Sequence, residues 1–189
     1  MGIGSVPVNH PLSLGMLGMY GNYVANQVVS EADLIIALGT RFDDRITGNL
    51  KHFCPYAEII HIDIDAAEIN KNVKLDAPVL ASTKDALPAL TALINEARHT
   101  EWIDSFNEYD DQEFEKVIQR EVHPVSGELT MGEVIHKISE ATNNNAVVVT
   151  DVGQNQMMAA RYSGYSQTRS LVTSGGLGTM GFGLPAAMG

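Results

Sequence analysis

Asp33 is followed by Leu34-Ile35-Ile36-Ala37-Leu38 and then Gly39, a short apolar run that stops at a glycine. Such a run predicts a parallel strand buried on both faces, with a loop at its carboxyl end. A second run, Glu58-Ile59-Ile60-His61-Ile62-Asp63-Ile64, is rich in β-branched residues, and Pro78-Val79-Leu80 is a shorter candidate strand. Between Asn22 and Ala32 the apolar positions Val24, Val28, Val29 and Ala32 fall at helical intervals, so a helix precedes the first strand. A further helical pattern runs from about Thr83 to Ala97. Strands alternating with helices predict an α/β fold built on a parallel sheet, Rossmann-like in its connections.

The pattern changes after residue 100. Trp102, Ile103, Phe106, Phe114, Val117 and Ile118 recur near helical spacing in a stretch, Glu101 to Glu121, that holds eight acidic and two basic side chains. This predicts an acidic amphipathic helix whose charges form a solvated face. His123-Pro124-Val125-Ser126-Gly127 ends it, because proline lacks a donor and restrains the residue before it. A second α/β unit then begins, with a helix over Thr130 to Thr142, a turn at Asn143-Asn144-Asn145 and a strand over Ala146 to Thr150. The chain thus divides into residues 1–98, an acidic helical linker at 99–127, and the opening of a second domain at 128–189. One strand and a glycine-rich helix start bury little core, so the chain is expected to be a piece of a longer polypeptide.

Composition narrows the function. The 189 residues are 44% hydrophobic and 19% charged, which describes a globular protein. No apolar run approaches the roughly 20 residues of a membrane-spanning helix, and no secretory leader opens the chain, so a cytoplasmic protein is expected. Cys54 is the single cysteine, which rules out an intrachain disulfide, and a thiolate metal site would have to borrow ligands from elsewhere. A formal charge of −11 repels a phosphate backbone and disfavours nucleic acid as a partner.

Five clusters could carry chemistry. Gly15-Met16-Leu17-Gly18-Met19-Tyr20-Gly21 lies just ahead of a helix. Its glycines would let backbone approach a planar or phosphorylated ligand, and a tight packing turn explains them equally well. Gly39-Thr40-Arg41-Phe42-Asp43-Asp44-Arg45 runs off the end of the first strand, where open α/β sheets bind ligands. Its arginines and aspartates fit either a surface ion-pair knot or a grip on anionic groups. In the third, His61-Ile62-Asp63-Ile64-Asp65, Asp63 stands where a carboxylate accepts hydrogen bonds from a nucleotide ribose. Asp65 would cap a helix over Ala66 to Val73, and His61 reads as a satisfied strand histidine. The fourth and fifth, Asp151 to Met157 and Ser174 to Gly181, combine glycines with uncharged amides, which can donate to a diphosphate without the lysine of a Walker loop. No nucleophile elbow and no H-E-x-x-H pattern supports a hydrolase or metalloprotease.

Taken in order, these clusters resemble the catalytic subunits of the acetohydroxyacid (acetolactate) synthase family of thiamine diphosphate enzymes. The resemblance rests on His10-Pro11-Leu12-Ser13-Leu14 with the Gly15 to Gly21 cluster, Gly39 to Arg45, Ile69-Asn70-Lys71-Asn72, Asp151 to Met157 and Ser174 to Ala187. It implies that residues 1–98 are the latter part of a central FAD-binding domain. There Leu17, Gly18, Met19 and Tyr20 would line the flavin. Gly39, Thr40, Arg41, Asp43 and Arg45 would grip its pyrophosphate, and Asp63 with Ile64 would meet the adenosine end. Asp44 and Arg45 would border the substrate channel. Residues 128–189 would open a thiamine diphosphate-binding domain. There Val152, Gly153, Gln154 and Asn155 would bond the diphosphate, and Gly178 and Met180 would face the aminopyrimidine. The Met180 side chain would prop the cofactor into its bent form.

The same resemblance implies a reaction. Two pyruvates, or pyruvate and 2-oxobutyrate, condense with loss of CO2 to 2-acetolactate or 2-aceto-2-hydroxybutyrate for branched-chain amino-acid synthesis. It also implies magnesium, a homodimer or higher oligomer, and a regulatory subunit as a candidate partner. Tyr20 and Asn155 stand where the family has histidine, Met158 where it has tryptophan, and Ala81-Ser82 where it has Gly-Asp. No catalytic residue and no metal ligand is expected within this chain; the activating glutamate and the magnesium site belong to other parts of the family's fold. The chain alone is expected to be inactive. A non-catalytic flavin- or nucleotide-binding module, or another thiamine diphosphate carboligase or oxidase, is the alternative reading.

Overall fold

In the computed structural model, residues 2–189 are described. They form two units, one of Asn26–Asn107 and one that joins the N-terminal residues through Ala25 to Glu108–Gly189. No helix among the described residues is long and apolar enough to cross a membrane.

In the unit Asn26–Asn107, the apolar runs become β1 (Leu34–Leu38), β2 (Glu58–Asp63) and β3 (Ala77–Leu80), following helix α1 (Tyr23–Glu31). They pair in parallel in the order β1-β2-β3, with Leu38 beside Ile62 and Ile62 beside Val79. Pro78 is compatible with this sheet because β3 lies at its edge, where a missing donor costs no ladder bond. One face holds the core: Ala37, Phe42, Ile59 and Leu75, flanked by Ile35, Phe53, Ile69 and Val73. The expectation of a first strand buried on both faces is corrected, since Leu34, Ile36 and Leu38 alternate outward and are exposed. Period 2 puts these side chains opposite the packed face.

Two helical expectations shorten. Asp65 Oδ1 accepts from Ala67 N at 2.9 Å, but residues 66–73 form turns rather than a helix, with Asn70 at φ 56°. The pattern from Thr83 gives α3 (Thr83–Thr91), N-capped by Ser82, and ends well before Ala97. Pro88 removes a donor inside α3, and Leu93 and Ile94 beyond it are exposed, so no burial rewards further turns.

The acidic stretch is not one helix. It breaks into α4 (Thr100–Asp104), α5 (Asn107–Glu113), a π-helical turn (Phe114–Ile118) and α6 (Gln119–Glu121). The break follows Ser105, whose hydroxyl donates to Trp102 O, and Phe106 is buried edge-on against Trp102. Nor are all its charges solvated. Glu113 is 4% exposed and joins Arg161 at 2.5 Å, while its Oε2 accepts from Val24 N at 3.1 Å.

Glu121 likewise accepts from Gly132 N at 3.1 Å, where a β-carbon would meet the Glu121 backbone oxygen at 2.9 Å. Thr130 then N-caps α7 (Met131–Ala141), accepting from Glu133 N at 3.1 Å. The asparagine turn follows, with Asn143 and Asn144 at positive φ. Strand β4 (Val148–Val149), helix α8 (Gln154–Tyr162) and strand β5 (Leu171–Val172) form a parallel crossover that pairs Val148 with Leu171. β5 has no counterpart among the expectations, because Leu171-Val172 stands between Ser170 and Thr173 without the longer apolar run that marks β4. Tyr165, fully buried, donates its hydroxyl to Ala159 O at 2.8 Å and fixes the loop after α8.

Candidate functional site

Each unit places loops at the carboxyl ends of its parallel strands. In the unit Asn26–Asn107, Gly39 leaves β1 at φ 60°, with Gly39 N donating to Ile62 O at 2.9 Å. Phe42 takes φ 47°, a region that disfavours side chains, and its ring is buried edge-on to His61 and Phe53. Asn72 explains how that conformation holds, because its amide donates to both Arg41 O and Phe42 O at 3.1 Å. Asp43 caps the short helix α2 (Asp44–Thr47) by accepting from Arg45 N at 3.1 Å, and its other oxygen meets Arg41 Nη2 at 3.0 Å. The loop therefore points Arg41, Asp44 and Arg45 into solvent on a backbone set from beneath.

Because β1 and β2 run parallel, Asp63 and Ile64 leave the sheet at the same edge as Gly39. Asp63 is turned inward, with Oδ1 accepting from Asp65 N at 2.8 Å and Oδ2 lying 3.4 Å from His61 Nε2. Ile64 is exposed. His61 is fully buried and neither ring nitrogen makes a hydrogen bond among the described residues, so it is less satisfied than a strand histidine is expected to be. Ala81 N donates to Asp63 O at 3.0 Å, which brings Ala81-Ser82 to this edge as well.

In the other unit, residues 15–21 close on themselves ahead of α1: Asn22 N donates to Met16 O at 2.7 Å and Gly21 N to Gly18 O at 2.9 Å. A β-carbon at Gly21 would lie 2.2 Å from Met16 O, so the turn needs glycine there. Leu17 is half-buried and Gly18 buried, while Met19 and Tyr20 are exposed.

The same unit carries the second phosphate-competent feature. Gly153 precedes α8 at φ 120°, ψ −152°, a conformation open to glycine, and no side chain caps the helix. The first-turn N–H groups of a helix lack intrahelical partners, so this end presents donors and a positive dipole. Gln154 and Asn155 are exposed beside it, and Val152 is half-buried. Thr173 Oγ1 receives Thr150 Oγ1 at 2.8 Å and Gln156 Nε2 at 2.7 Å, tying the ends of both strands to the first turn of α8. A second turn follows β5: Gly178 N donates to Ser174 O at 2.8 Å and Thr179 N to Ser174 Oγ at 3.0 Å, with Gly178 at φ 63°. Met180 is exposed beyond it.

Three supporting residues escaped the sequence reading as individuals. Asn72 and Asp151 sat inside recognised clusters without roles, and Thr173 in none. A polar side chain beside a glycine turn is the one signal that could have marked them, and it does not say which backbone atoms the side chain will reach.

Comparison with known proteins agrees with this layout. Residues 1–90 match the thiamine pyrophosphate enzyme central domain, and residues 151–189 match the thiamine pyrophosphate enzyme C-terminal TPP binding domain. Over its full length the chain is 44% identical to the acetolactate synthase large subunit of Lactococcus lactis, of which it covers 32%. It is 43% identical to a probable acetolactate synthase large subunit of Methanocaldococcus jannaschii and 43% to the isozyme 1 large subunit of Escherichia coli, covering 33% of each. The chain thus spans about a third of the length of these curated relatives.

Proposed function

Since the chain belongs to the thiamine pyrophosphate enzymes and is a homologue of acetolactate synthase large subunits, we propose that it supplies flavin-holding and thiamine diphosphate-holding segments of an acetolactate synthase. The intact polypeptide would condense two pyruvates, or pyruvate and 2-oxobutyrate, with loss of CO2. The observation that carries this reading is the uncapped start of α8 behind Gly153 at the carboxyl end of β4. That arrangement fits a diphosphate: Gly153, Gln154 and Asn155 can donate to its oxygens without a lysine, whereas Val152, expected among these donors, gives its amide to Asp151 Oδ1 at 2.8 Å. Gly178 and Met180 would face the aminopyrimidine, and the exposed Met180 side chain is free to support the bent cofactor. Bound thiamine diphosphate supplies a thiazolium carbon able to accept the negative charge left when a 2-keto acid loses CO2.

The flavin assignment draws on separate features. A β-carbon at Gly39 would meet nothing within 4 Å, so that turn has room for a ligand beside the exposed Arg41 and Arg45. Thr40 and Asp43 would complete the pyrophosphate grip. Leu17, Gly18, Met19 and Tyr20 would line the flavin, Asp63 would brace the adenosine end with Ile64 in contact, and Asp44 with Arg45 would border the substrate channel. No group of three His, Cys, Asp or Glu among the described residues could hold a metal ion. In this reading the magnesium paired with the diphosphate takes its protein ligands from other parts of the family's fold. A homodimer or larger assembly, with a regulatory subunit, completes the proposal.

The test is acetolactate formation from pyruvate by the intact polypeptide with thiamine diphosphate, magnesium and FAD. Acetolactate is the expected product; pyruvate left unconsumed or converted to acetaldehyde alone overturns the reading. Arg41→Ala in the same protein is expected to lower flavin retained through gel filtration, and unchanged flavin absorbance would remove Arg41 from the grip.

A further inference from the structure

The two turns assigned to thiamine diphosphate are joined by one carboxylate. Asp151 stands two residues beyond the end of β4; its Oδ1 accepts from Val152 N at 2.8 Å and from Gly181 N at 3.0 Å. Its Oδ2 accepts from Gly183 N at 2.9 Å, at the start of α9 (Gly183–Met188). Two of these donors lie 30 and 32 residues away in the chain. The approach depends on glycine, since a β-carbon at Gly183 would stand 2.8 Å from Asp151 N, and Gly181 holds φ 84°.

We propose that Asp151 is a positioning residue that clasps the diphosphate-holding turn at 152–155 to the pyrimidine-facing turn at 178–183, and so sets the separation at which the two ends of thiamine diphosphate are held. This rests on the function proposed above. The carboxylate touches neither end of the cofactor; it acts through the backbone of Val152 and Gly181. Backbone donors from Gly183, Val152 and Gly181 hold its pKa below the ordinary aspartate range, so the clasp is anionic at neutral pH. The amides that neutralise it are spent on Asp151, which keeps its charge from opposing a diphosphate held by the first turn of α8.

The test compares two probes on the intact polypeptide with magnesium present: thiamine diphosphate, which needs both turns, and inorganic diphosphate, which needs the first alone. Asp151→Asn sets an amide donor against Gly183 N or Gly181 N. It is expected to weaken thiamine diphosphate roughly tenfold to a hundredfold, as loss of charge-assisted bonds does, while inorganic diphosphate changes less than about threefold. The circular dichroism of the bound aminopyrimidine should change with it. Gly183→Ala, which forces the start of α9 away from Asp151, should give the same split. Equal affinities and an unchanged spectrum in a folded Asp151→Asn protein overturn the clasp and leave the cofactor assignment standing. Parallel loss of both probes also overturns it, because a general structural role would do that. If the unsubstituted protein binds no thiamine diphosphate, the function itself fails. Should both variants fail to fold, amide hydrogen exchange on the unsubstituted protein decides. Protected Gly181 and Gly183 amides support the clasp, and exchange at the rate of an open loop refutes it.

Discussion

The turn after β1 and the turn after β4 both leave the carboxyl end of a parallel strand through a glycine, yet they are built with opposite polarity. In the first, an amide donor, Asn72, holds two backbone carbonyls, Phe42 anchors the loop in the core, and charged side chains face solvent. In the second, a carboxylate acceptor, Asp151, holds backbone amides, and what faces solvent is the uncapped start of α8. A loop whose binding groups are long cations tolerates small shifts of backbone, because arginine reaches its partner from several geometries. A loop whose binding groups are backbone N–H donors does not, since the helix itself must be placed correctly. The second turn should therefore depend more heavily on distant supports.

The largest effect expected from that difference lies at Glu113. It pairs with Arg161 of α8, and while the Glu113 side chain is 3% exposed that of Arg161 is 19% exposed. Glu113→Gln leaves Arg161 without its counter-charge and should cost on the order of 3 kcal/mol in urea denaturation. A cost smaller than that of the next substitution would break the comparison. Asn72→Ala removes two exposed or half-buried bonds to Arg41 O and Phe42 O and should cost about 1 kcal/mol, with the fold kept by the buried Phe42 ring. A much larger loss would mean that Phe42 cannot hold its positive φ unaided.

The smallest expected effect concerns Cys54, buried in the same unit as the first turn, whose thiol is pushed up to about 11 by burial. Iodoacetamide at pH 8 should modify it slowly in the native protein and readily in urea. The sign follows from the neutral form being favoured by folding. This contribution to stability is complete below the ordinary thiol value near 9.0 and is lost as pH rises toward about 11. Rapid native alkylation would show that this unit opens more easily than its core suggests.

β1 was legible as an apolar run ended by Gly39, and β2 as an isoleucine-rich stretch running into Asp63, while α7 was legible as a helix over Thr130 to Thr142 whose cap at Thr130 the structure supplies. The shortened helices were not, since propensity continues past Thr91 while burial does not. The glycine turns were legible as candidate sites through residue type alone. Asp63 shows the limit of that reading: its position at the strand end was readable, while its inward turn toward His61 depends on which face of β2 packs.

Local sequence determined where strands stop, where glycine permits a turn and which side chains are charged, because those properties belong to residues within a few positions of one another. Tertiary structure alone decided that Asn72 would hold the carbonyls of residues 41 and 42, that Glu113 would leave its acidic neighbours to meet Arg161, and that Asp151 would reach Gly181 and Gly183. Each of these is a hydrogen bond between groups about 30 residues or more apart, and such a partner is selected by how the strands and helices pack.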